Sequence, residues 1–258
     1  PLLTRAWGLS GLFWVTAGMA LFGILIIAVL VPRPQSALQH RESGVARQAL
    51  WPTLRDGQLL RLDFGIAALH AILMASFVAL PLALVEQGGL PKEEHWWVYL
   101  VGLLVGFFAM IPFIIYGEKR RQMRRVLVGA VGVLLLCELF FWQLGNSLVA
   151  LVIGTLVFFT AFNLLEASLP SLISKMAPAG GKGTAMGVYS TSQFLGAALG
   201  GLLGGWLFQQ GGVAAVFLGC ALLAALWLGF AATMREPPYV TSLRLSLSPE
   251  ALREAGLV

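Results

Sequence analysis

The sequence predicts an all-α membrane protein with seven transmembrane helices, and three observations carry that reading. Of its 258 residues, 58% are hydrophobic and 11% charged, against roughly 45 to 50% and about 25% in a soluble domain. The apolar residues fall into seven runs long enough to cross a bilayer, which takes about 20 residues as a helix. Lys and Arg gather in loops on alternate sides of those runs. The runs must be helices, because an open sheet in lipid leaves backbone N–H and C=O groups without partners.

The first run, Leu9 to Val31, is too long for a signal peptide and lacks a small-residue cleavage pattern. Pro32 and Pro34 end it and open a basic loop in which Trp51, Leu54, Leu59 and Leu60 predict a helix lying on the membrane surface. The second run, Phe64 to Val85, carries His70. The third, Trp96 to Tyr116, is entered through Glu93, Glu94 and His95 and an aromatic belt of Trp96, Trp97 and Tyr99. The basic cluster Lys119, Arg120, Arg121, Arg124 and Arg125 precedes the fourth run, Val126 to Leu144, which contains Glu138 near its outer end. A snorkelling or structural role suits that carboxylate. The fifth, Leu148 to Ser171, continues past Pro170 toward Ser174. The sixth, Thr184 to Phe208, is glycine-rich, and the seventh, Val213 to Thr233, exits through Pro237 and Pro238 into alternating residues 240–247 that read as the start of a strand.

Fifteen of the seventeen Lys and Arg residues lie on one side of these runs. By the positive-inside rule that side is cytoplasmic, so the N-terminus faces the periplasm and the C-terminus the cytoplasm. Nucleic-acid binding is excluded as an explanation of the net charge of +5, because the basic residues sit in short loops between apolar runs. Cys137 and Cys220 lie within apolar runs without metal-ligand spacing, and no metal or cofactor is expected. No H-E-x-x-H or G-x-S-x-G motif is present, so an intramembrane enzyme is not expected.

The polar residues at depth are the informative ones. A carboxylate near the bilayer centre costs about 3 kcal/mol or more unless it is paired or faces water. In the fifth run, Thr160, Asn163, Glu166, Pro170, Ser171 and Ser174 share an arc of about 140° at 100° per residue. His70 and the stretch Tyr189 to Gln193 occupy a similar layer, so three helices offer polar groups at one depth, as a water-filled cavity requires. Glu166 has two readings: a group exchanging a proton as the cavity changes sides, or a hydrogen-bonding lock between helices. His70 is a candidate relay, since histidine is the side chain that changes charge near neutral pH. In the sixth run Gly196, Gly200 and Gly204 are spaced by four, as are Gly201 and Gly205; such ridges permit close packing and also a sliding seam.

The stretches FNLLEASLPSLISKMAP, KGTAMGVYSTSQFLGAALGGLLGGW and REPPYVTSLRLSL resemble a bacterial inner-membrane branch of the major facilitator superfamily, and the likeness spans essentially the whole chain. It implies that residues 1–31 are the last helix of a first six-helix bundle, 32–62 a cytoplasmic inter-bundle linker, 63–234 the complete second bundle, and 235–258 the start of a truncated cytoplasmic domain. The missing initiator Met and the unfinished strand suit a piece of a longer polypeptide. The implied function is secondary active transport by alternating access, proton-coupled antiport or efflux of a small molecule. Glu166, His70, Asn163, Gln193 and Tyr189 would then be cavity residues. The expected partners are the lipid bilayer, the N-terminal half, the small-molecule substrate and protons. The loop Gly117 to Arg125 would be the weaker counterpart of the family's signature loop, with Glu118 its nearest carboxylate and a latch its implied role. A seven-helix receptor or sensor is the alternative.

Overall fold

The computed structural model describes residues 2–31, 47–178 and 180–236. Among these the protein is helical throughout: α1 (Leu2–Leu30), α2 (Arg47–Arg55), α3 (Gly57–Glu86), α4 (His95–Lys119), α5 (Met123–Leu144), α6 (Leu148–Met176) and α7 (Lys182–Ala232), with one 3-10 turn at Lys92–Glu94. Six helices are long and apolar enough to span a membrane. The last of them, α7, has 51 residues and is two spans, because Gly211 and Gly212 leave helical geometry inside it. Gly212 has φ of 65°, a conformation disfavoured for side chains with a Cβ. There the chain reverses: residues 196 to 204 run parallel to residues 67 to 75 of α3, whereas residues 220 to 227 run back along residues 72 to 65. The seven expected spans are therefore present.

α3 is the centre of the bundle. Leu59, Leu62, Ile66, Leu69 and Ile72 are fully buried, and the two legs of α7 cover two of its faces. Toward the first leg the approach is backbone to backbone: a Cβ on Gly196 would lie 2.2 Å from the Ala67 carbonyl oxygen, and one on Gly200 2.3 Å from that of Ala71. A Cβ on Gly204 would lie 2.7 Å from Ala75 Cα. Small residues take such interfaces because, without a hydrophobic force between helices in lipid, close van der Waals contact holds them together. Toward the second leg, Trp227 lies on Gly65, and the rings of Phe64 and Phe230 meet edge-on at 5.1 Å. α4 and α6 form another close pair, with Gly106 of α4 against the backbone of Phe159. α5 joins the second leg through Phe141 stacked on Phe217 at 5.0 Å.

Helix starts and breaks follow local chemistry. Asp56 caps α3, its carboxylate accepting from the N–H of Gln58 at 2.7 Å and of Leu59 at 3.2 Å. That satisfies two otherwise orphaned donors, and α3 starts at Gly57, seven residues before the expected Phe64. The surface helix expected around Trp51 to Leu60 thus ends at Arg55, and Leu59 belongs to the core. α2 carries Trp51 with the Arg55 guanidinium 4.7 Å above its ring. It packs on the turn before α7, where a Cβ on Gly181 would lie 3.5 Å from that of Ala49. Pro170 sits inside α6 without ending it.

The spanning part of α1, Trp7–Leu30, buries none of its residues against the rest. The strand expected over 240–247 and most of the linker proline and basic segment lie outside the described residues.

At one end of the bundle polar contacts tie the helix termini together. Arg61 donates to Thr233 at 2.9 Å, and Arg124 donates through Nη2 to the carbonyl of Ala232 at 2.5 Å. The Arg235 N–H donates to Gln58 at 3.0 Å, and Lys175 pairs with Glu118. A cation at the carbonyl end of a helix opposes its dipole favourably.

Candidate functional site

Three helices bring polar side chains together at mid-depth. His70 lies about 20 Å along α3 from Gly57, Glu166 about 15 Å from the end of α6 and Gln193 about 17 Å into α7, at 1.5 Å per residue. These are deeper positions than a count from Phe64 suggests. The Gln193 amide nitrogen sits 2.9 Å from Nε2 of His70 and 3.3 Å from Oε1 of Glu166. His70 Nε2 and Glu166 Oε2 are 3.9 Å apart. The histidine side chain is 14% exposed and the glutamate 38%; the imidazole lies 5.8 Å from the Phe162 ring, and Oε2 of Glu166 is buried with no hydrogen-bond partner among the described residues. Pro170 has no N–H to offer the Glu166 carbonyl four residues earlier, which leaves a second acceptor at this level.

The hydrogen-bond inventory of this trio is constrained. An amide NH2 has two hydrogens, enough for one bond to the imidazole and one to the carboxylate, provided Nε2 of His70 is an acceptor. His70 then carries its proton on Nδ1, a buried atom with no hydrogen-bond partner among the described residues. If the amide turns over, its oxygen can accept from His70 Nε2–H and from a protonated Glu166. The two orientations of Gln193 thus correspond to two proton inventories of the pair.

The other expected members are placed unevenly. Asn163 donates to the carbonyl of Leu103 at 3.3 Å, tying α6 to α4. Tyr189 is 4% exposed, and its hydroxyl has no hydrogen-bond partner among the described residues. Of the glycines, 196, 200 and 204 form the contact with α3, whereas a Cβ on Gly201 or Gly205 would meet nothing within 4 Å. In the basic loop, Glu118 and Arg124 make the contacts already described.

Two further carboxylates are buried among the described residues. Asp63 is 5% exposed, and neither of its oxygens has a hydrogen-bond partner among the described residues. Sequence reading missed it by starting the span at Phe64; Asp56, the N-cap residue about two turns ahead, is the signal that places Asp63 inside the helix. Glu138 is fully buried rather than snorkelling. Ser76 of α3 donates to its Oε1 at 3.2 Å, with Cys220 Sγ 3.8 Å from the same hydroxyl. Ser76→Ala strips that acid of its donor, and a loss of about 1 to 3 kcal/mol is expected, read as a lower Tm in detergent with transport coupling unchanged.

Spans that bring polar side chains from three different helices together at membrane depth define a multi-pass membrane protein with a polar cluster inside its bundle. The Major Facilitator Superfamily model matches residues 1–201 and 124–254, and the chain belongs to that family. It is 49% identical over 247 residues to the inner membrane transport protein YajR of Escherichia coli (strain K12), covering 96% of this chain and 54% of that one. An uncharacterized transporter, BU466, of Buchnera aphidicola is 28% identical over 76% of this chain and 50% of its own length. Multidrug resistance protein MdtH of Salmonella newport is 23% identical over 64% of this chain and 40% of its own. The chain spans about half the length of these relatives.

Proposed function

We propose that this chain forms the C-terminal half of a secondary active transporter that couples proton movement to export of a small molecule by alternating access. The observation that carries the reading is the Glu166, Gln193 and His70 cluster, a titratable pair bridged by an amide at mid-membrane. Family membership supports transport over a receptor and over catalysis, and likeness to an inner membrane transport protein and to a multidrug resistance protein supports the reading of an inner-membrane exporter. In this reading residues 63–234 are the second six-helix bundle, α1 the last helix of the first, and the substrate binds between the two halves. The basic end of the bundle faces the cytoplasm.

The proton step follows from the hydrogen bonds. With Glu166 ionised, the Gln193 amide donates to it and to His70, and the carboxylate is held without a counter-ion. Arrival of a proton on Glu166 makes the carboxyl a donor, and the amide turns its oxygen to it. Asp63, buried and without a hydrogen-bond partner among the described residues, offers a second acid nearer the basic end.

Everted vesicles carrying the full-length protein test the coupling. A panel of amphiphilic compounds should accumulate under an inward-acid gradient and leave on addition of a protonophore; accumulation indifferent to the protonophore, or none across the panel, would overturn the reading. Gln193→Leu removes the bridge, and a hydrogen bond to a charged group is worth about 1.5 to 3 kcal/mol. A loss of roughly ten- to a hundredfold in gradient-driven flux is expected, with exchange at equal pH retained.

A further inference from the structure

A cavity of about 470 Å³ lies between α4, α5 and α6, away from the polar trio. Phe113 and Tyr116 of α4 form one wall, Val133 and Gly129 of α5 the floor, and Leu164 of α6 the far side, with Arg125 at its mouth. From Arg125 to Val133 the groove follows α5 for about 12 Å along the membrane normal. Its walls are almost wholly apolar. The one cation lining it, Arg125, is exposed and has no ion-pair or hydrogen-bond partner among the described residues. Neighbouring Lys119, Arg120 and Arg121 add positive charge at that level, where lipid phosphates lie.

We propose that this groove is a binding site for an anionic phospholipid of the leaflet on the basic side, its phosphate at Arg125 and an acyl chain along Gly129 and Val133. A soluble anion would find no use for the long apolar floor. A neutral hydrocarbon would find none for the unpaired guanidinium at its rim. Basic pockets between transmembrane helices select anionic headgroups at about 1 kcal/mol per Lys or Arg. Gly129 is what keeps the floor open, since a Cβ there would meet no atom within 4 Å.

Native mass spectrometry of the full-length protein tests this, with phosphatidylglycerol and phosphatidylethanolamine as probes. Phosphatidylglycerol should be retained preferentially. Arg125→Gln should lower its retention about fivefold, and Gly129→Leu should abolish it by filling the groove. Arg55→Gln, which removes a charge stacked on Trp51 away from the groove, should leave it unchanged. Equal retention of both lipids, or an equal loss in Arg125→Gln and Arg55→Gln, would overturn the assignment. Displacement of the lipid by millimolar inorganic phosphate would likewise overturn it, showing an anion site that does not use the apolar floor. Should Gly129→Leu fail to fold, the comparison of the two arginine variants still decides.

Discussion

Glu166→Gln in the full-length protein is expected to abolish proton movement driven by substrate while leaving substrate exchange at equal pH nearly intact. The amide is close to isosteric and can still accept from Gln193, so the helix packing at His70 and Phe162 survives; what it cannot do is take up and release a proton. The expected loss in gradient-driven flux is at least about a hundredfold, the scale on which removal of a positioned proton-transfer group is felt. Proteoliposomes with an internal pH dye measure it. Retention of the full proton signal would make Glu166 a structural lock between α6 and α7, and Asp63 would become the remaining candidate carrier among the described carboxylates of the bundle's polar face. Loss of exchange together with coupling would instead point to a substrate contact, distinguishable because the affinity for substrate would fall with it.

The second large effect is steric. Gly200→Leu drives a side chain into the backbone of Ala71, whose carbonyl oxygen would stand 2.3 Å from the new Cβ. No rotamer relieves a clash that begins at Cβ. Overpacking of this kind costs about 1 to 3 kcal/mol where the core can yield, and here backbone must move, so the upper end or outright misfolding is expected. The matched control is Gly201→Ala, one residue on, where a Cβ meets nothing within 4 Å. It should be neutral or stabilise by up to about 1 kcal/mol through helix propensity. Thermal unfolding of both variants in detergent gives the comparison. Similar Tm values for the two would show that α3 and α7 do not pack as described.

Those two glycines also show what sequence reading can and cannot reach. Both ridges have the same spacing of four, and nothing in the one-dimensional pattern separates Gly200 from Gly201; the direction from which α3 arrives decides, and that is a tertiary fact. The seven spans were legible because hydrocarbon thickness fixes their length, and the four-residue gap from Gln209 to Gly212 was enough to separate the last two. The depth of His70 and Glu166 in one layer was legible from helix rise alone, but the bridging amide was not, because it depends on side-chain direction. Of the two roles open to Glu138, structural or snorkelling, the sequence could not choose for a related reason. Its position along α5 is near the outer surface, yet its azimuth points to Ser76 and the bundle interior, and position along an axis says nothing of azimuth. Asp63 was lost to a boundary error of two turns, set right by the capping geometry of Asp56.

The backbone contact between α3 and the first leg of α7 has a mechanical consequence. Helices whose ridges interlock at every fourth residue cannot slip by small amounts, since any intermediate register sets Ala71 against a side chain instead of a glycine. The two therefore behave as a welded beam. His70 and Gln193 are bolted to that beam, while Glu166 rides on α6, which meets it through side chains. A rocking of α6 against that beam would leave the His70–Gln193 distance fixed and change the two distances to the carboxylate, so that a rigid-body displacement would be felt as a change of hydrogen-bond partner at a single acid.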